Sequence, residues 1–239
     1  MVDYKYTAFI SYKREDEASA NWLQKELEKY RFNSSIRRMY PGLPKKVGYI
    51  CRDTTDFSGG VLEKTIKNAL CSSKFLIVIC SPLAAKSPWV CKEVQEFIDL
   101  GKEEFIIPFI IDGEPNSHDI LKECFPKSLK SLSGSRELLG ININDDVGRD
   151  AAVIKVVARI FNLHFTTIWQ RIQREESKRR KKIIIVLFSI IACITGVAIW
   201  LLSLNIEVNR QKQIISDNQK QLKTQLEISK RQRDSVSIR

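Results

Sequence analysis

Residues 75–94 read FLIVICSPLAAKSPWVCKEV. Six apolar residues in a row, Phe75 to Cys80, are short for a helix and suit a strand buried on both faces at the centre of a parallel sheet. Ser87-Pro88 then supplies a helix start, with Ser as N-cap and Pro as first helical residue. Gly101 supplies a stop, which predicts a helix over residues 89–100. Working outward, strands are predicted at residues 7–12, 47–51, 105–111 and 139–143, and helices at 16–30, 61–70 and 150–161. On the first helix Ala20, Leu23, Leu27 and Tyr30 share one face. Pro108 implies that one side of the fourth strand's ladder is open or bulged. Residues 112–138 read as a long polar connection with a short helical turn. The alternation predicts an α/β, flavodoxin-like sheet of five parallel strands. Any chemistry then belongs on the rim formed by residues 12–16, 52–60, 81–88 and 112 onward.

Residues 183–204, IIIVLFSIIACITGVAIWLLSL, carry no charge. A helix of that length spans roughly 33 Å, enough for a bilayer core, and Trp200 suits the interface at its far end. The 15 residues before the run hold seven Lys and Arg, and the 15 after it hold two. That asymmetry predicts a single-pass membrane protein with its N-terminal domain in the cytoplasm. The KRRKK block at 178–182 then faces anionic headgroups, at about 1 kcal/mol per basic residue. Beyond the run, Val208, Ile215 and Leu222 recur every seven residues until Ser229, with Leu226 off the register. This leaves both a weak self-associating coiled coil and a solvated helix or loose tail open. The expected organisation is a catalytic or signalling domain at 1–162, a basic juxtamembrane helix at 163–182, a transmembrane helix at 183–204 and a polar C-terminal helix or tail at 205–239.

The 239 residues are 44% hydrophobic and 28% charged, a balance that supports a packed core. The net charge of +11 invites a nucleic-acid partner, but its distribution argues against one. Residues 1–167 hold 24 basic and 22 acidic side chains, residues 168–239 hold 15 and 6. Six cysteines stand singly with no CxxC pair, and residues 1–6 show no secretory signal, so zinc and a disulfide framework are not expected and a reducing cytosol is. With only His118 and His164, metal centres and Ser-His triads have few candidates.

Trp89 and Glu93 are four apart at a helix start and therefore share a face. They read either as an aromatic plate beside a carboxylate, a cradle for a sugar or base, or as a packing residue and an exposed helical charge. Residues 52–60, RDTTDFSGG, end in two glycines that allow close backbone approach, or they form a surface loop. The chain lacks GxxxxGK[ST] and GxGxxG, so nucleotide-triphosphate hydrolysis has no local support. Tyr12, Lys13 and Arg14 close the first strand at the rim, where they could meet an anion or form a solvated turn. Cys80 and Cys91 near the same rim are thiol candidates with no histidine close in sequence.

Taken together, AFISYKRED at 8–16, CRDTTDFSGG at 51–60, FLIVICSPLAAKSPWVCKEV at 75–94 and IIPFIIDGEP at 106–115 resemble the Toll/interleukin-1 receptor (TIR) domain family, in its bacterial form, over residues 4–162. The resemblance implies cleavage of NAD+ between nicotinamide and ribose, with NAD+ as substrate, no cofactor and no metal. It makes Glu93 catalytic. Trp89 lines the nicotinamide side, Tyr12, Lys13 and Arg14 approach ribose and phosphate, and the loop carrying Asp53, Phe57 and Gly60 opens or closes the site. It further implies self-association through TIR domains, an activating partner of unidentified chemistry, and a role in defence or stress signalling. The alternatives are a noncatalytic adaptor acting by homotypic contacts and a nucleoside-processing enzyme on a similar sheet.

Overall fold

A computed structural model describes residues 4–52, 60–133, 139–145 and 148–236. The chain falls into two compact units, Met1–Gln173 and Arg174–Arg239. In the first, strands β1 (Tyr6–Ser11), β2 (Ile50–Arg52), β3 (Ser73–Cys80), β4 (Ile106–Ile110) and β5 (Ile141–Asn142) form one sheet in the order β2-β1-β3-β4-β5, every neighbouring pair parallel. The expected flavodoxin-like sheet is therefore present, with β3 near its centre. Its helices are α1 (Glu17–Lys29), α2 (Ser34–Met39), α3 (Gly60–Cys71), α4 (Pro82–Ala85), α5 (Pro88–Asp99), α6 (Lys127–Ser133) and α7 (Gly148–Ile160).

Alternation along each strand divides the core into two layers. Ala8, Ile10, Ile77, Ile79, Ile107 and Phe109 pack with Leu23 and Leu27 of α1 and Val153 and Val157 of α7. Phe9, Leu76, Val78, Ile106 and Ile110 face the other way, onto Ile66 and Leu70 of α3 and Val90, Val94 and Phe97 of α5. The run 75–80 is apolar because both faces are covered; Leu76 through Cys80 are fully buried.

Pro108 pairs in register with Val78 on β3, while the β4–β5 ladder holds only Phe109 and Ile110. Ile110 O accepts from Ile143 N. Alternate residues point the same way, so the missing Pro108 N–H falls on the β5 side, just outside that ladder. The short α2 was not foreseen. It is held by Asn33, whose Oδ1 accepts from Ile36 N at 2.8 Å.

The last helix, α8 (Phe165–Val236), belongs to both units. Within the first unit its Ile168 is fully buried, with Phe165, Trp169 and Ile172 packed on the α1/α7 layer. In the second unit the apolar run 183–204 is exposed along its length. Among the described residues this is the one helix long and apolar enough to cross a membrane, by length and composition.

Candidate active site

The site is built on the start of α5. Ser87 Oγ accepts from Val90 N and Pro88 occupies the first turn, as the dipeptide predicts. Val90, Val94 and Phe97 recur at i, i+4 and i+7 and are fully buried. Glu93 falls on the same stripe, which brings a carboxylate into the core-facing side of the helix at 6% exposure.

A buried carboxylate needs hydrogen-bond donors. One comes from Ser11, the last residue of β1 and itself fully buried, whose Oγ donates to Glu93 Oε2 at 2.5 Å. Ser11 lies two residues from Phe9 and faces the same α3/α5 layer, so the strand's period delivers the hydroxyl to the helix. The bond joins residues 82 apart in sequence. It was not foreseen, although Ser at the rim end of a strand and Glu on an apolar helical stripe carried the signal.

Trp89, one turn before Glu93 on the same side of the helix, lies at the solvent edge, 56% exposed, with Lys92 Nζ 5.8 Å from its ring centroid. The bland reading of this pair is thus reversed: the tryptophan is exposed and the glutamate buried. Ile66, Trp89, Lys92, Glu93 and Glu96 line a recess of about 10 Å³, room for about one water molecule. A larger groove, about 360 Å³, lies near the opposite ends of the strands, lined by residues including Tyr4, Lys5, Tyr49 and Lys74. It contains no carboxylate and lies away from the rim where open α/β sheets bind ligands, so the smaller recess is the better candidate.

The remaining expected residues divide. Tyr12 packs on the α1/α7 layer, opposite the layer that Glu93 faces. The Arg52 guanidinium sits 5.7 Å from the Tyr12 ring centroid and donates to Glu17 Oε1 at 3.0 Å and to Gln24 Oε1 at 3.1 Å. Arg52 therefore ties β2 and Tyr12 to α1; Tyr12 follows Ser11 by one residue and so turns to the α1/α7 layer, while Ser11 turns to the α3/α5 layer that holds Glu93. Lys13 pairs with Glu15 at 3.6 Å and Arg14 is exposed in the turn that follows. Gly60 opens α3. Asp53 and Phe57 lie outside the described residues.

Two further rim features bear on chemistry. Asp16 accepts from Ser81 Oγ at 2.6 Å; burial raises its pKa above the ordinary aspartate value, partly offset by that hydroxyl. Cys80 is fully buried and burial pushes its thiol well up, while burial first and Glu123 second push Cys124 up to about 12. Cys80 is thereby held as a thiol, which removes it as a nucleophile. Cys91 Sγ is 2.8 Å from Ser128 Oγ. Among the described residues no group of His, Cys, Asp and Glu is arranged to hold a metal ion.

A doubly wound parallel sheet with one acid drawn into the layer below its carboxyl rim defines the class. A family model described as TIR domain matches residues 8–139, more than half of the chain, and the chain belongs to the TIR domain family. It is 32% identical over 112 residues to the protein named NAD(+) hydrolase ApTIR from Actinoplanes sp. (strain ATCC 31044 / CBS 674.73 / SE50/110), an alignment covering 46% of this chain and 14% of that one. The match thus spans about a seventh of that relative's length. Among solved structures, the TIR domains of the activated Roq1 resistosome recognising the effector XopQ align at 18% identity and a TM-score of 0.43, covering 65% of this chain and 99% of that one.

Proposed function

We propose that this chain is a membrane-anchored NAD+ hydrolase that cleaves the nicotinamide–ribose bond and is switched on by self-association. The observation that carries the reading is Glu93, a carboxylate on the buried stripe of α5, held by Ser11 and bordering a recess with exposed Trp89. The similarity to a protein named as an NAD(+) hydrolase supports it.

The chemistry needs one fixed anion. As the bond breaks, nicotinamide leaves as a neutral pyridine with the bonding electron pair, and positive charge spreads over the ribose C1′ and ring oxygen. Glu93, preorganised by Ser11 in a water-poor setting, stabilises that cation electrostatically. Water then adds to C1′ and loses a proton, giving ADP-ribose. Trp89 offers a face for the departing ring. Glu93 is the catalytic residue and Ser11 a positioning residue.

A recess with room for about one water is smaller than a nicotinamide riboside, so in this scheme substrate entry requires the α3–α5 edge to part. Self-association of TIR domains supplies that opening, and confinement of the 183–204 helix to a membrane raises the effective concentration that drives it. In this scheme residues 163–182 are the basic cytoplasmic flank, and NAD+ depletion is the signal in defence or stress.

The small recess and the bond from Ser11 to Glu93 favour a second reading, a noncatalytic TIR adaptor. Nicotinamide release by the full chain in vesicles, at low and high surface density, separates them. Release that rises with density supports the hydrolase; no release at any density supports the adaptor.

A further inference from the structure

We propose that the part of α8 beyond the apolar run pairs in parallel, in register, with the same segment of a second copy of this chain. The proposal rests on the membrane reading above, which gives every copy the same orientation.

Seven residues advance a helix by about 700°, 20° short of two turns, so residues spaced by seven stay on one narrow stripe. Leu204, Val208, Ile215 and Leu222 occupy that stripe and are 44–61% exposed. Taking Val208, Ile215 and Leu222 as one core position of a heptad, the other core position holds Leu204 and then the amides Gln211, Asn218 and Gln225. Ile214, Leu226 and Ile228 are exposed beside that stripe, at the positions that flank a coiled-coil seam.

The polar residues identify the occupant. An amide both donates and accepts, so when a partner helix displaces water from the seam, Gln211, Asn218 and Gln225 can each pair with their own counterparts if two identical helices run in register. A lipid surface or an apolar partner would leave these groups unpaired. Charge selects the direction. Glu207 immediately precedes the seam residue Val208, and Lys212 lies five residues further on. In a parallel pair these flanking positions face each other between copies, so Glu207 of each copy meets Lys212 of the other. An antiparallel pair would not bring them together. Glu207, Lys212 and the seam residues are all exposed on the isolated helix.

The test is a cysteine scan of the full chain in native membranes, with single substitutions from 207 to 225, oxidation by copper phenanthroline and wild type as baseline. The expected pattern is cross-linked dimer rising severalfold at Val208→Cys, Gln211→Cys, Ile215→Cys, Asn218→Cys and Leu222→Cys over Gln213→Cys and Lys220→Cys. Glu207→Lys should lower the Ile215→Cys yield and added Lys212→Glu should restore it. A flat profile, or no dimer at any position in chains that float with membranes, overturns the pairing while leaving the anchor intact. Chains that do not float overturn both. None of these readouts involves NAD+, so the enzymatic reading fails or stands separately.

Discussion

The two units treat apolar side chains in opposite ways. Phe9, Ile77 and Phe109 of the first are at most 1% exposed, whereas Ile190, Ile194 and Leu201 of the second are at least half exposed. All six are large apolar side chains, yet the first three lie in a sheet with a helical layer on each face, whereas the run that holds the other three is exposed along its length. Hydrophobicity alone therefore does not distinguish a core strand from an exposed apolar helix; length, neighbours and flanking charge do.

Matched lesions sharpen that contrast. Ile77→Ala should destabilise the first unit by about 2–5 kcal/mol, the range for truncating a fully buried isoleucine, as read by denaturant unfolding. A loss well under 1 kcal/mol would mean that the site is not packed as described. Ile194→Arg places a charge in the middle of the exposed run and should cost about 2.5–3.5 kcal/mol of insertion, visible as loss of the chain from floated membranes, with the first unit still folded. Unchanged flotation would remove the anchor.

Smaller effects probe the polar contacts inside the first unit. Ser11→Ala should lower kcat for nicotinamide release about tenfold, roughly 1.4 kcal/mol, with KM little changed, because the carboxylate loses its positioning donor while the substrate contacts remain. Restored turnover in Ser11→Thr would separate positioning from a purely structural role. Glu123 gives the mildest test. Burial would raise its pKa, but Lys130 and the Phe125 and Asn116 N–H groups outweigh that and hold it below the ordinary glutamate value. A carboxylate lowered on folding contributes stability that is complete above its unfolded pKa and is lost as pH falls through the folded one. Stability of the wild type should therefore fall more steeply below about pH 4.5 than that of Glu123→Gln; identical acid limbs would contradict the assignment.

Much of the fold was legible because its signals are local. The run 75–80, the Ser87-Pro88 cap and the stripe Val90, Val94 and Phe97 each carry their own physical reason. The helix Ser34–Met39 was missed because six residues are too short to show a period, and only Asn33 marked its start. For the site, the sequence named Glu93 and Trp89, but which of them is buried depended on α3 and β1 packing against α5. Ser11 was illegible as a partner for the same reason: a contact across 82 residues exists only once the sheet has formed. One residue of strand parity sends Tyr12 to the α1 layer with Arg52 while Ser11 goes to Glu93, an alternation that the strand assignment carried but the motif did not.

The central claim is that the carboxylate on α5 carries the reaction. The direct measurement is NAD+ cleavage by the full chain in vesicles at high density, wild type against Glu93→Gln, which keeps the size of the side chain and one oxygen to accept from Ser11 while removing the charge. A loss on the order of a hundredfold or more, with unfolding behaviour unchanged, is the predicted result. Turnover at the wild-type rate in Glu93→Gln would contradict it.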